Sequence, residues 1–143
     1  MRSLTLALFA VAATGCATPC AQLRVSSAAY TAGETMQGSL LNQSSFYELQ
    51  HGVFCLAYLE RREGDAWVRA PEPERGCILP LLITAPSATV LFSYRLDATL
   101  PEGPYRLRFE VRRGRFRLFG LGVGGTGDKK LLASDPFTVR AAR

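Results

Sequence analysis

Hydrophobic and charged residues alternate strictly over eight positions in the C-terminal third of the chain. The apolar residues are Tyr105, Leu107, Phe109 and Val111. The charged residues between them are Arg106, Arg108, Glu110 and Arg112. A period of two is typical of a β-strand with one buried face. A slip of one residue would place four charged side chains in the core, so the register of this strand is strongly specified.

Short apolar runs separated by Gly, Pro, Asn and Ser occupy the rest of the chain from Leu23 onward. They predict strands at 23–26, 53–61, 66–70, 78–84, 89–96 and 135–140, and another that ends in the turn-forming stretch 42–45. Pro80 indicates an edge position for the run at 78–84. No segment shows the period of a helix. About seven or eight antiparallel strands in a chain of this length are typical of an all-β, immunoglobulin-like β-sandwich.

The first residues have the layout of a secretory signal. A basic residue, Arg2, precedes the apolar run 4–13, and small residues follow it. The run is shorter than the ~20 residues that a membrane span requires. We therefore predict a lipoprotein-type signal peptide at 1–15, a tether at 16–22, one domain at 23–143 and no transmembrane helix.

The end of the signal resembles a bacterial lipobox, in which cleavage occurs just before a lipid-modified cysteine. Here that residue is Cys16, preceded by Thr14 and Gly15, with Ala13 where leucine is commonest. Acyl chains at Cys16 would anchor the protein firmly, since each buried methylene contributes ~0.8 kcal/mol. The alternative is ordinary cleavage after Ala17. The first interpretation predicts a protein anchored to the bacterial cell envelope on its periplasmic or surface face, and the second predicts a secreted one.

The remaining cysteines indicate one disulfide. Cys55 and Cys77 lie inside the predicted domain, whereas Cys20 lies in the tether. Exported chains commonly oxidise such pairs, so we predict a Cys55–Cys77 disulfide, with Cys20 as an alternative partner of either one.

The charge and the glycine-rich stretch give little support for nucleotide or nucleic-acid binding. The net charge is +5, or +4 once Arg2 is removed with the signal (5 − 1), which is modest. Gly122 and Gly127 have the separation found in a phosphate loop, but Asp128 stands where that loop requires lysine. We interpret the stretch as a hairpin arm whose glycines permit turns.

Candidate catalytic residues are few. The only histidine, His51, lies in a turn-like stretch, and we interpret it as a solvated loop residue. The carboxylates around the 63–65 turn and the proline-rich loop are interpreted as a solvated rim: Glu60, Glu63, Asp65, Glu72 and Glu74. We therefore predict no enzymatic activity, no metal site and no cofactor.

A group of basic and aromatic residues on the last long strand and the arm is the candidate binding patch. Its members are Arg106, Arg108, Arg112, Arg113, Arg115, Phe116, Arg117, Phe119, Lys129 and Lys130. A solvated sheet face is the alternative interpretation. As a binding site, the patch would contact lipid headgroups, lipopolysaccharide or an acidic polymer.

Several short motifs together resemble a family of bacterial immunoglobulin-like domains of secreted and lipid-anchored proteins. They are an asparagine turn, a hairpin with a tryptophan, a proline–x–Gly–x–Tyr–Arg entry to a long strand, and a final strand with a phenylalanine. In this chain the motif positions are Asn42, Trp67, Pro101, Gly103, Tyr105, Arg106 and Phe137. The resemblance implies the sandwich fold and an extracytoplasmic setting, and it implies no catalytic residues.

The sequence thus predicts a non-enzymatic exported lipoprotein with a structural or protein-interaction role at the cell envelope. A binding module for an anionic envelope component is the second hypothesis, and a protease inhibitor, by analogy with other β-sandwiches, is the third.

Overall fold

The computed structural model describes residues 19–73, 75–77, 80–118, 121–125 and 127–142. Within them the chain forms twelve strands in two packed sheets, and one short 3-10 helix, Phe54–Leu56. The predicted all-β, immunoglobulin-like sandwich is therefore confirmed. The predicted signal peptide at 1–15 and Cys16 lie outside the described residues. No helix in the described part of the chain has the length and apolar character that crossing a membrane requires.

The strands are numbered in chain order. They are β1 (Ala21–Val25), β2 (Ala29–Thr31), β3 (Thr35–Asn42), β4 (Tyr47–His51), β5 (Tyr58–Glu63), β6 (Ala66–Arg69), β7 (Leu82–Thr84), β8 (Thr89–Arg95), β9 (Gly103–Leu118), β10 (Leu121–Gly125), β11 (Lys129–Ala133) and β12 (Phe137–Arg140). The small sheet has the order β1-β3-β8, and all other strands form the large sheet. The chain passes between the sheets around β2, after β3, and on either side of β8. These crossovers give the sandwich its immunoglobulin-like topology.

β9 is the central strand of the large sheet. Along one edge it pairs in turn with β12, β11 and β10, and along the other with β5 and β4. β6 extends the sheet beyond β5, β7 extends it beyond β4, and β2 pairs in parallel with β12. More strand segments are present than the seven or eight predicted. The 3-10 helix separates β4 from β5 along one edge of β9, and residues 134–136 separate β11 from β12 along the other.

The alternation at 105–112 is confirmed by the burial of β9. The side chains of Tyr105, Leu107, Phe109 and Val111 are 0–2% exposed and face the small sheet. They meet buried residues of β3 and β8 there, among them Met36, Leu40, Phe92 and Tyr94. The core between the two sheets therefore follows from the period of two in the sequence.

The predicted strand at 53–61 is wrong in its first half. β4 ends at His51 and β5 begins at Tyr58, with the 3-10 helix between them. The ring of Phe54 leaves the sheet and stacks between Phe92 of the small sheet (4.3 Å between centroids) and Phe109 of the large sheet (4.4 Å). Because this side chain fills the space between the sheets, the backbone there cannot continue the ladder. β2, β4 and β11 are strands that the sequence pattern did not predict.

The motifs on which the family resemblance rests have structural roles in the fold. The side chain of Asn42, 1% exposed, directs its Nδ2 to the carbonyl oxygens of Tyr47 (2.8 Å), Thr84 (3.2 Å) and Ala85 (3.1 Å), so it joins two loops. The hydroxyl of Tyr105 donates to the carbonyl of Pro101 at 2.8 Å and closes the turn into β9. In that turn Gly103 has φ +151°, which favours glycine. Phe137 packs edge-on against Tyr30 (5.5 Å between ring centroids), which ties β12 to β2.

Candidate functional site

Ion pairs neutralise much of the predicted basic patch. On the outer face of β9, Arg106 donates to the carboxylate of Glu60 at 2.6 Å, and Arg108 lies 3.5 Å from the same carboxylate. The guanidinium of Arg106 also stacks on the ring of Trp67, 4.6 Å from its centroid. These two arginines therefore hold β5 and β6 against β9 and are little available to an external anion.

The rest of the patch is divided between the outer face and the arm. Arg112 and Lys129 share the carboxylate of Glu110, at 3.5 and 3.6 Å. On the arm, Arg113 pairs with Asp128 at 2.8 Å, and Arg117 pairs with Glu48 at 2.5 Å. Among the described members of the patch, six basic side chains are therefore paired with carboxylates.

Three patch members differ from these paired residues. Arg115 is exposed and forms no ion pair with any described residue. Phe116 is half-buried, with its ring 5.2 Å from the ring of Tyr47. Lys130 donates to the carbonyl oxygen of Pro19 at 3.3 Å. Phe119 lies outside the described residues.

His51 is a buried residue of the sandwich, and the interpretation of it as a solvated loop residue was wrong. It is 3% exposed at the end of β4. One ring nitrogen, Nε2, bonds the hydroxyl of Thr84 at 2.9 Å, and Nδ1 bonds the carbonyl of Gly52 at 2.8 Å. The ring contacts those of Phe54 and Phe109. Burial lowers the pKa of His51 below its usual value of 6.5, although the Gly52 carbonyl opposes that shift.

This burial predicts a loss of stability in mild acid. The unfolded chain binds a proton at His51 near pH 6.5, and the folded chain does so only at lower pH. The stabilisation that comes from burying the neutral ring is therefore fully present above about pH 6.5. As the pH falls below that value, the free energy of unfolding should decrease by at most about 1.4 kcal/mol per pH unit. Urea titrations across this range measure it. In the His51→Gln variant the slope should vanish, and an unchanged slope would assign it to another group.

An apolar groove lies beside His51, where the 3-10 helix interrupts the pairing of β4 and β5 with β9. Its volume is about 340 Å³. Its apolar lining includes Leu56 of the 3-10 helix, Phe109 of β9 and Leu81 of the segment before β7. Three polar residues also line it: Gln50, Glu110 and Arg112. Sequence reasoning did not predict this groove, because it arises from the 3-10 break.

β7 borders the groove and forms an edge of the large sheet. Among the described strands it pairs with β4 alone, in the register Leu49↔Thr84, Gln50↔Ile83 and His51↔Leu82. Large apolar side chains are exposed along it: Leu81 by 62%, Leu82 by 38% and Ile83 by 56%. Pro80 had indicated the edge position, and the structure confirms it.

Glu72, predicted as part of a solvated rim, lies largely buried against the sandwich instead. Its carboxylate accepts hydrogen bonds from the backbone N–H of Leu59 (3.0 Å), the hydroxyl of Tyr94 (2.5 Å) and the guanidinium of Arg75 (2.9 Å). The pKa of Tyr94 is raised, first because the hydroxyl is buried and then because it donates to Glu72. This network fixes the proline-rich loop to both sheets, so Glu72 has a structural role.

The predicted disulfide between Cys55 and Cys77 is present, with 6.2 Å between the Cα atoms. Cys20 is therefore not the partner of either. The bond links the 3-10 helix to the loop that precedes β7, so the floor of the groove and its β7 wall are covalently connected. No group of three or more His, Cys, Asp or Glu side chains within the described ranges is placed to hold a metal ion.

Comparisons with known proteins add little at the level of sequence. No family model matches the chain, and no curated protein matches it. Among solved structures, the chain is similar to an ASH/PapD-like domain of human CEP192 (PapD-like domain 7), with 13% identity, a TM-score of 0.42, and 99% of this chain and 100% of that one covered. It is also similar to Spo0M, a sporulation control protein from Bacillus subtilis, with 14% identity and a TM-score of 0.38. That match covers 87% of this chain and 50% of Spo0M. The assignment of the fold rests on the strand order described above.

Proposed function

We propose that this chain is a non-enzymatic exported lipoprotein whose immunoglobulin-like domain binds another protein of the bacterial cell envelope. The observation that carries the proposal is the unpaired edge of β7 with its exposed apolar side chains. The partner is an extended segment that adds to this edge as a further strand.

The chemistry of an edge strand supports this mode of binding. An edge presents backbone N–H and C=O groups that an incoming strand can pair with, and pockets for alternate side chains supply specificity. Leu81 and Ile83 are two residues apart and so point to the same face of the sheet. A partner strand beside β7 would place its own alternate residues next to these two. We expect those residues to be apolar, with one reaching the groove.

One edge of the small sheet offers less to such a partner. β8 forms an edge of the small sheet, but its exposed positions are mostly polar, with Leu91 (81% exposed) set among Thr89, Ser93 and Arg95. Leu91 is therefore a suitable control position, since it is an exposed leucine on an edge strand of the opposite sheet.

The engagement of two buried polar groups supports a non-enzymatic role. Both ring nitrogens of His51 are bonded within the protein, and both carboxylate oxygens of Glu72 accept protein donors. A general acid or base must reach the proton that it transfers, and neither group is placed to do so.

Selection of displayed random peptides on the purified domain tests the proposal. We expect enrichment of peptides with apolar residues at alternate positions, and a bound peptide should protect backbone amides of β7 from hydrogen exchange. Replacing Leu81 and Ile83 together by lysine should abolish binding. The control Leu91→Lys should bind as the unchanged domain does.

Three results would overturn the proposal. Enriched peptides that protect another strand would place the interface elsewhere. Equal binding by the Leu81→Lys, Ile83→Lys double variant would exclude the β7 edge. Concentration-dependent dimerisation that is lost in this double variant would show that the edge pairs with a second copy of the chain.

A further inference from the structure

The end of the sandwich that carries the basic arm also carries the start of the described chain. We define the arm as residues 113–118 of β9 together with β10. At its base, Lys130 donates to the carbonyl of Pro19 at 3.3 Å, and the backbone N–H of Gln43 donates to the carbonyl of Cys20 at 2.7 Å. The arm is joined to the same end through the backbone N–H of Arg117, which donates to the carbonyl of Phe46 at 2.7 Å.

The length of the preceding chain limits how far this end can be from an anchor at Cys16. Cys16 precedes Pro19 by three positions, and an extended chain spans at most about 3.6 Å per position, or roughly 11 Å in total. The arm rises about 3.3 Å per residue and therefore reaches roughly 16 Å beyond Arg113. A membrane that holds the acyl chains of Cys16 would thus meet the arm before any other part of the large sheet.

The charge of this end suits an anionic surface. Among the described residues of this end, two carboxylates, those of Glu48 and Asp128, accompany four cations: Arg113, Arg115, Arg117 and Lys130. Arg115 is exposed and has no ion-pair partner among the described residues. At the opposite end, around the turns that precede β3, β6 and β9, five carboxylates offset the arginines: Glu34, Glu63, Asp65, Asp97 and Glu102.

Exposed apolar side chains accompany these cations. Leu121, which opens β10, is 73% exposed, and Phe46 at the base of the arm is 43% exposed. Arginine next to exposed leucine and phenylalanine is the combination that binds at a lipid headgroup boundary, where the cation meets phosphate and the apolar group enters the interface. An acidic protein surface would account for the cations and not for Leu121.

We propose that the arm end of the domain lies against an anionic lipid surface, with Arg115 contacting headgroup phosphates and Leu121 entering the interface. The orientation rests on the lipid anchor of the proposed function. It leaves the β7 edge on the side of the sandwich, open to a protein partner. The contact of the arm with lipid is itself independent of the anchor and is tested without it.

Cosedimentation of the full chain carrying Cys16→Ala with lipid vesicles tests the arm alone. Vesicles of phosphatidylethanolamine with phosphatidylglycerol should bind the protein in a salt-dependent manner, and vesicles of phosphatidylcholine should not. Arg115→Glu should weaken binding by at least about fivefold, since one basic residue near such a surface contributes that factor. The matched control is Arg140→Glu, an exposed strand arginine at the opposite end of the sandwich, which should change binding less than about twofold.

Several outcomes would overturn the proposal. They are absence of binding to the anionic vesicles, equal losses in Arg115→Glu and Arg140→Glu, or binding that Arg115→Glu leaves unchanged. Leu121→Ser provides a second variant, and it should reduce the binding that remains at high salt. Thermal unfolding of each variant shows whether the domain is folded.

A separate measurement tests whether the chain carries a lipid anchor at Cys16. Mass spectrometry of the chain from its natural membrane determines whether Cys16 is acylated. A non-acylated Cys16 together with Arg115-dependent vesicle binding would reject the anchor and retain the arm. An acylated Cys16 without such binding would retain the anchor and reject the arm.

Discussion

Replacing Phe54 by alanine is expected to lower the free energy of unfolding by about 3 kcal/mol. The ring of Phe54 lies between Phe92 and Phe109, nearly parallel to both, with interplanar angles of 12° and 18°. It is the one side chain of the 3-10 helix that enters the core, so alanine would leave a cavity bounded by both sheets. The value is at the lower end for a phenylalanine because the residue is partly, and not fully, buried.

Urea denaturation of the purified domain measures this loss. The conservative variant Phe54→Leu retains most of the apolar volume and should lose about 1 kcal/mol. Val68→Ala, at an exposed position of β6, should change stability by less than about 0.5 kcal/mol. If Phe54→Ala is no less stable than Phe54→Leu, the helix does not fill the space between the sheets.

Removing the disulfide through Cys55→Ser and Cys77→Ser is expected to cost about 3 kcal/mol. The bond closes a loop with a sequence separation of 22, and the chain-entropy model assigns that amount to a loop of this size. The loop contains β5, β6 and the segment that carries Glu72, so its constraint acts on a large part of the sheet edge. The unfolding midpoint in urea reports the loss.

Reduction of the unchanged protein should reproduce the effect of the double variant. A Cys20→Ser variant should retain the difference in unfolding free energy between oxidised and reduced protein that arises from the Cys55–Cys77 bond. Equal stability of the oxidised domain and the double variant would show that the bond does not constrain the unfolded chain. Expression in a reducing compartment should then yield a domain as stable as the exported one.

The sequence predicted those parts of the fold that depend on local period and on turn residues. The face of β9 was predicted because alternation over eight residues admits one register. The turn at 63–65 was predicted because glycine favours turns, and Gly64 has a positive φ, +60°, in the structure. These features are encoded by residues that are neighbours along the chain.

The 3-10 helix was not predictable in the same way. The stretch around Phe54 is as apolar as a strand, and the contacts that break it are with Phe92 and Phe109, far along the sequence. The ion pairing of the basic patch was not predicted, for the same reason. The spacing of the arginines indicated a shared face, but their carboxylate partners, Glu48 and Glu60, are brought to β9 by the pairing of β4 and β5.

Under the export proposed above, the central position of β9 affects the order in which the strands can pair. A secreted chain crosses the membrane from its N-terminus, and β2, β4 and β5 leave first. Among the described strands, β2 pairs with β12 alone, and β4 and β5 pair with β9 as well as with the short strands β7 and β6. Neither β9 nor β12 begins before Gly103. Such non-local pairing cannot form until about two thirds of the chain has emerged, so apolar strands remain exposed meanwhile. We therefore expect the emerging chain to require a holding chaperone, and the sandwich to close only when its last forty residues arrive.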